Sequence, residues 1–264
     1  MAGPTGAGPT GAGPTGAGPT GVGPTGAGRA EGSRVILVHG SMDRATSFRR
    51  LMSRLPEWHC VAYDRRGYAG SSHMGPPESF EDQVDDLLSV LDSRQSVVFG
   101  HSYGGNVVLA AASRHPDLIT AAVVWEPPRP WLPWWPGMTA AGGGADHLDA
   151  EDRAEWFMRR MVGDRVWERL PEATRSQRRR EGPTLTAELE LLRSGPPFDE
   201  SKVRIPVLVG RGGQSPPHHR RSARELASSL PKGELCDIAG ASHGAHLTHP
   251  AELAELIRSA GRLG

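Results

Sequence analysis

The stretch Val97-Val-Phe-Gly-His-Ser-Tyr-Gly-Gly105 decides the fold of this chain. Its first three residues form a short apolar run, which is typical of a strand buried on both faces. Residues 100–104 then fit the Gly-x-Ser-x-Gly pattern of a sharp turn from a strand into a helix. Both glycines are needed because side chains there would collide with the adjoining strand and helix. The pattern predicts that the turn lifts the hydroxyl of Ser102 above the edge of a sheet.

Strand and helix signals alternate on both sides of this turn. Short apolar runs predict further strands at residues 35–38, 60–63, 121–125, 205–209 and 235–238. Apolar residues at helical spacing predict helices at 48–55, 80–91, 106–114, 220–230 and 251–263. Strands that alternate with helices favour a parallel sheet covered on both faces. We therefore predict an α/β fold with a mostly parallel, doubly wound sheet.

Residues 127–200 interrupt this alternation. Pro, Gly and Trp residues come first, and amphipathic helical stretches follow them. The regular pattern then resumes at the strand predicted for residues 205–209. The interruption indicates a helical cap at about 127–200, inserted into a single domain that spans 31–264.

The N-terminal residues differ from the rest of the chain. Residues 3–27 repeat Gly-Pro-Thr-Gly-Ala with a period of five, which Val22 breaks once. Such a segment has almost no apolar surface to bury and cannot offset the entropy lost on ordering. We predict a disordered tail over residues 1–30.

Composition limits the partners and the compartment. Lys plus Arg and Asp plus Glu number 30 each, so the net charge is near zero and we expect no nucleic-acid partner. A secretory signal and a long apolar run are both missing from the sequence, so we expect no membrane contact and a cytoplasmic location. Metal-ligand spacings, phosphate loops and nucleotide fingerprints are missing as well, which predicts a small-molecule substrate and no metal or cofactor. Oligomeric state stays open.

Ser102 is the candidate nucleophile. A serine hydroxyl attacks poorly unless a base takes its proton, and histidine is suited to that role near neutral pH. Of the 11 histidines, His243 lies in a loop directly after the last predicted strand. Because the C-terminal ends of parallel strands share one edge of a sheet, His243 is expected near Ser102. His246 is the alternative base.

These features together resemble the α/β-hydrolase superfamily, over about residues 33–263. The resemblance implies an oxyanion hole made by the backbone N–H groups of Ser41 and Tyr103, and a structural role for His39. Two donors aimed at a developing oxyanion usually form the largest catalytic contribution. The resemblance rests on His39-Gly40, Asp64-Arg-Arg-Gly-Tyr-Ala-Gly-Ser-Ser72, Gly100-His-Ser-Tyr-Gly-Gly105 and Ser242-His-Gly244.

The resemblance also implies a carboxylate that orients the base. The superfamily usually carries an Asp after the next-to-last strand, but residues 210–220 contain no Asp or Glu. Some members, including haloalkane dehalogenases, place the acid after the strand that follows the nucleophile helix. Glu126 stands there, either as the acid of a triad or as a residue that only pairs with the cap. Asp199 and Glu200 precede a strand and so fall at the wrong side of the sheet.

The aromatic cap is expected to shape an apolar substrate pocket, because such pockets are largely apolar with a few polar groups. We predict lining by Met42, Trp131, Trp135 and Trp156, and a small apolar ester or related acyl substrate. Dehalogenases of this fold attack with a carboxylate, so Ser102 favours acyl transfer. Two alternatives remain: a C–C hydrolase or cofactor-free haloperoxidase-like enzyme with the same triad, and a non-catalytic protein that binds a small molecule.

Overall fold

A computed structural model describes Gly21–Val22 and residues 33–264. In this part of the chain, six parallel strands form the sheet, and a seventh, β1, adds at one edge, antiparallel to β3. The order across the sheet is β1-β3-β2-β4-β5-β6-β7. The strands are β1 (Gly21–Val22), β2 (Arg34–Val38), β3 (His59–Tyr63), β4 (Ser96–His101), β5 (Ile119–Trp125), β6 (Val207–Gly212) and β7 (Gly233–Ile238). Apart from β1, the tail predicted over residues 1–30 lies outside the described residues.

Helices cover both faces of this sheet, as the alternating pattern predicts. Side chains of β2 show why: Val35 and Leu37 belong to one apolar core, whereas Ile36 and Val38 belong to the other. This confirms the doubly wound α/β fold. The helices are α1 (Arg49–Met52), α2 (Phe80–Leu91), α3 (Tyr103–Arg114), α4 (Ala150–Val162), α5 (Asp164–Arg169), α6 (Glu172–Arg180), α7 (Gly182–Arg193), α8 (Pro217–Ser229), α9 (Ala245–Thr248) and α10 (Pro250–Gly261).

Helices α4 to α7 lie between β5 and β6 along the chain, inside the stretch predicted to form the cap, although these two strands are neighbours in the sheet. They share a third apolar core with the main domain, in which Trp167 and Leu185 of the cap accompany Tyr68, the residue five positions after β3. Residues 127–149 form turns rather than helices. The cap is therefore packed onto the C-terminal edge of the sheet, where the candidate site lies.

Some element bounds differ from the sequence predictions. Helix α3 begins at Tyr103, three residues earlier than expected, although Gly104 and Gly105 are weak helix formers. Tertiary packing overrides this propensity, because a Cβ at Gly104 would lie 2.3 Å from the carbonyl oxygen of Val38. The predicted helix at 48–55 is a 3-10 turn, Ala45–Phe48, followed by the short helix α1.

We find no helix among the described residues with both the length and the apolar character needed to cross a bilayer.

Candidate active site

Ser102 occupies a strained turn between β4 and α3. Its backbone has φ 54° and ψ −122°, a conformation that costs a non-glycine residue on the order of 1–3 kcal/mol. A hydrogen bond of 2.8 Å from the Ser102 N–H to the Trp125 carbonyl oxygen holds the turn. The flanking glycines permit it, since a Cβ at Gly100 would lie 2.6 Å from the Gly104 carbonyl oxygen. The turn therefore needs glycine at position 100 for the steric reason given from the sequence.

His243 and Glu126 meet at the same edge of the sheet. The Nδ1 atom of His243, in the loop after β7, lies 2.9 Å from Oε2 of Glu126, the residue that follows β5. Glu126 is fully buried, and its other oxygen, Oε1, accepts the Gly212 N–H at 2.8 Å. An ionised carboxylate can only accept hydrogen bonds, so the Nδ1 atom of His243 carries the proton. The Nε2 atom is then left with a lone pair, as a general base requires.

The other carboxylates considered from sequence lie away from His243. Glu200 pairs with Arg129, and Asp199 accepts hydrogen bonds from Ser201. The loop after β6, where the superfamily usually carries its acid, instead supplies the Gly212 N–H to Glu126. Glu126 is therefore the carboxylate that the fold brings to this imidazole.

A cavity of about 270 Å³ lies between the main domain and the cap. Ser102 and His243 both line it, together with Ser41. Its walls are mostly apolar, which suits a small apolar group. The remaining lining residues are Pro128, Trp135, Thr139, Ala140, Ala141, Phe157, Arg160, Met161, Leu189, Leu192, Pro216, His218 and His219.

The predicted pocket residues are only partly in this cavity. Trp135 lines it, whereas the other three predicted residues are not among the described residues that do. Trp131 packs edge-to-face on Phe198 beside a second cavity, Trp156 lies under the guanidinium of Arg160, and Met42 is buried in the core shared with the cap. A helical pattern identifies which residues are apolar but not which side of a cap helix faces the cavity.

Sequence reasoning missed two histidines of the cavity. The helix predicted from sequence begins only at residue 220, which leaves His218 and His219 in the preceding loop, but α8 begins at Pro217 and turns both toward the cavity. The His219 ring stacks on His243 with centroids 4.5 Å apart. Burial, together with the nearby His243, lowers the pKa of His219 well below its usual value. Proline favours the first helical turn, so Pro217 after a strand was an available signal.

The proposed oxyanion residues flank Ser102. Tyr103 is buried at the N-terminus of α3, where backbone N–H groups of the first turn have no partner within the helix. Ser41 follows β2 by three residues and lines the cavity. Its hydroxyl donates to Glu188 of the cap helix α7 at 2.6 Å.

His246, the alternative base from sequence, has another contact. It is buried in α9, and its Nε2 lies 3.3 Å from Oδ2 of Asp43. The ring of His101 lies between His246 and His243, and its Nε2 is 2.9 Å from the His243 carbonyl oxygen. His246 therefore contacts Asp43 and the ring of His101, and His101 in turn contacts the backbone of His243.

Two groups of side chains in the described part of the chain have the donor types of a metal site. One is Asp43 with His101 and His246, and the other is Glu126 with His219 and His243; in each, the potential ligand atoms lie within 4.8 Å of one another. In the second group, Glu126 and the Nδ1 atom of His243 are already joined by a hydrogen bond.

His39, at the base of the loop that carries Ser41, is held as a neutral imidazole. Its Nε2 accepts the Arg65 backbone N–H at 2.9 Å, so its Nδ1 donates to the Gly40 carbonyl oxygen at 2.7 Å. Protonation of Nε2 would place its N–H opposite the Arg65 backbone N–H, so that two donors would face each other without an acceptor. Burial, and next the charge of Arg65, lower the pKa of His39 to about 3.

This predicts an acid-dependent loss of stability. The unfolded chain binds a proton at His39 below about pH 6.5, but the folded chain does not until far lower pH, so the free energy of unfolding should fall as the pH drops. His39 alone contributes about 1.4 kcal/mol per pH unit in that window, and His101 and His219, whose pKa values burial also lowers, act with the same sign. Urea denaturation across this range measures it, and His39→Asn should have a shallower slope. A wild-type stability that stays level would contradict the prediction.

Comparison with known proteins shows which family the chain resembles. A family model described as "Alpha/beta hydrolase family" matches residues 35–256. The lipase LipV of Mycobacterium tuberculosis is 34% identical over 98 residues, which are 36% of this chain and 37% of LipV. A putative carbamate hydrolase, RutD of Caulobacter segnis, is 32% identical over 111 residues, 38% of this chain and 42% of RutD. The chain thus aligns with about two fifths of the length of these relatives.

A solved structure matches over nearly its whole length. An α/β hydrolase from Sphaerobacter thermophilus superposes with a TM-score of 0.66 at 27% identity, over 86% of this chain and 93% of that one. The family-model match over most of the chain and the superposition on this hydrolase agree. This chain belongs to the alpha/beta hydrolase family.

Proposed function

We propose that this protein is a serine hydrolase that cleaves small, apolar esters or related acyl compounds. The observation that carries the proposal is the hydrogen bond between His243 Nδ1 and the buried Glu126, at a cavity that Ser102 also lines. A base that is oriented by a carboxylate, beside a serine on a strained turn, is the arrangement that acyl transfer requires. The named lipase and carbamate hydrolase relatives support cleavage of an acyl bond.

The reaction proceeds in two stages. Oγ of Ser102 attacks the carbonyl carbon of the substrate while His243 Nε2 takes the hydroxyl proton. His243 then gives this proton to the leaving alcohol, and an acyl-enzyme ester remains on Ser102. Water, deprotonated by His243, attacks that ester; the bond from the acyl carbon to Oγ then breaks, His243 returns the proton to Ser102, and the acid leaves. Throughout, Glu126 keeps the proton on Nδ1 and stabilises the imidazolium that forms.

Two groups of residues complete the site. The backbone N–H groups of Ser41 and Tyr103 receive the oxyanion of each tetrahedral intermediate. The cavity of about 270 Å³, with walls that include Trp135, Phe157 and Leu189, accepts a short apolar acyl or alcohol group.

A fluorophosphonate probe tests the proposal directly. We expect covalent labelling at Ser102, located by peptide mass mapping, and hydrolysis of p-nitrophenyl acetate and butyrate in preference to long-chain esters. Labelling should compete with the ester substrates. An unlabelled, folded protein that binds small apolar ligands but cleaves none of these esters would instead support the non-catalytic binding protein.

A further inference from the structure

A carboxylate from the cap reaches into the main domain beside the candidate active site. Glu188 of α7 is fully buried and forms an ion pair through Oε1 with Nη1 of Arg65, which is also fully buried. Its Oε2 accepts hydrogen bonds from the Ser41 hydroxyl at 2.6 Å and from the Tyr68 hydroxyl at 2.8 Å. One cap side chain thus contacts the loop after β2 and the loop after β3.

Arg65 extends this contact to both residues of the proposed oxyanion hole. Its Nε donates to the His39 carbonyl oxygen at 2.8 Å, two residues before Ser41. Its guanidinium carbon lies 4.7 Å from the ring centroid of Tyr103. A shift of the Arg65–Glu188 pair would therefore disturb the two backbone segments whose N–H groups face the oxyanion.

The cap also contacts the residues that follow Ser41 in the same loop. Nη1 of Arg178, at the end of α6, donates to the Met42 carbonyl oxygen at 2.7 Å. Arg44 pairs with Glu181 at 3.3 Å. Met42 has φ 57°, a left-handed conformation that persists only where the surroundings enforce it. Arg178 and Arg44 thus tie the loop after β2 to the cap on both sides of its strained residue.

A buried ion pair is a costly way to attach a cap. Desolvation of both charges offsets much of their attraction, and apolar residues of similar volume often stabilise a fold as well or better. The Arg65–Glu188 pair does something that apolar packing cannot, because its oxygens accept directed bonds from the loop that carries Ser41.

We propose that Glu188 is a positioning residue that couples the seated cap to a correctly aimed oxyanion hole. With the cap seated, Glu188 fixes the Ser41 side chain and, through Arg65, the backbone of His39 and the ring of Tyr103. Without it, the loop at residues 41–44 loses the contact that aims its N–H groups. This inference rests on the proposed serine hydrolase function, since an oxyanion hole matters only if Ser102 attacks a carbonyl.

Glu188→Gln tests the coupling, with Glu190→Gln as the matched control on the same helix. Glu190 is exposed, so its substitution removes the same charge without touching the network. We expect Glu188→Gln to lower kcat for p-nitrophenyl butyrate about 10- to 100-fold with KM nearly unchanged, less than the complete loss of an oxyanion donor would cost. Inhibition by a trifluoromethyl ketone, which forms an oxyanion on Ser102, should weaken in parallel.

Ser41→Ala provides a second test that leaves the Arg65–Glu188 pair intact. It removes one hydrogen bond and should lower kcat about 3- to 10-fold with only a small decrease in melting temperature, because Oε2 of Glu188 keeps the hydrogen bond from Tyr68. If Glu188→Gln fails to fold, the Ser41→Ala result decides. Wild-type kcat in both variants, or a fall in activity that appears only in KM, would overturn the positioning role. An inactive, unlabelled wild type would instead overturn the proposed function itself.

Discussion

Ser102→Ala is expected to lower kcat for p-nitrophenyl ester hydrolysis by a factor on the order of 10⁴ to 10⁶, and to abolish labelling by a fluorophosphonate. The hydroxyl is the atom that forms the covalent bond, and neither His243 nor the oxyanion donors can replace it. The turn should survive, because alanine keeps the Cβ that the packing around Ser102 accommodates and the hydrogen bond to Trp125 comes from the backbone.

The measurement needs a folded variant and a control at the same helix. The melting temperature and the binding of a small apolar ligand should stay close to the wild type. Ser113→Ala, near the end of α3, removes a hydroxyl that bonds the Ala110 carbonyl oxygen and should leave kcat unchanged. A Ser102→Ala protein that is folded and turns over esters at the wild-type rate would show that another group is the nucleophile.

Glu126→Gln should be the second largest effect, a fall in kcat of about 10⁴-fold. Both carboxylate oxygens accept hydrogen bonds, one from the His243 Nδ1–H and one from the Gly212 N–H. A glutamine offers one accepting oxygen, so its amide group must face one of these donors. If the amide faces His243, the imidazole takes the wrong tautomer, and its Nε2 can no longer accept the proton of Ser102.

The pH profile separates this role from a structural one. Loss of the carboxylate removes the stabilisation of the imidazolium, so kcat should recover in part at high pH, while KM stays near the wild-type value. Glu225→Gln, the first carboxylate in sequence after the loop that follows β6, should leave kcat within about twofold, since the Glu225 side chain bonds Trp134 and Arg221 instead. Undiminished turnover in Glu126→Gln would mean that another group orients His243.

Much of this site could be predicted from the sequence because its main residues lie just after the C-terminal ends of strands. Ser102 follows β4, Glu126 follows β5 and His243 lies in the loop after β7. Parallel strands bring their C-terminal ends to one edge, so a residue's position after a strand is also a position in space. The fold could be predicted in a similar way, because short apolar strands that alternate with amphipathic helices are compatible with only a few sheet topologies.

The cap could not be predicted in the same way. Its helices are amphipathic, but an amphipathic pattern says only which residues are apolar, not which neighbour they meet. Trp156 and Phe157 are adjacent in α4, yet Phe157 lines the cavity and Trp156 packs with Arg160. The angle at which a cap helix lies on the sheet depends on contacts with distant residues.

The sequence by itself determined the doubly wound sheet and the turn that carries Ser102, because periodicity and the steric demand for glycine act over a few neighbouring residues. Only the tertiary structure decided that Glu188 accepts a hydrogen bond from Ser41, 147 residues away, and that the ring of His219 stacks on His243. A buried carboxylate in a helix resembles a solvated one in sequence. The difference arises only when folding removes its water and supplies Arg65, Tyr68 and Ser41 as partners.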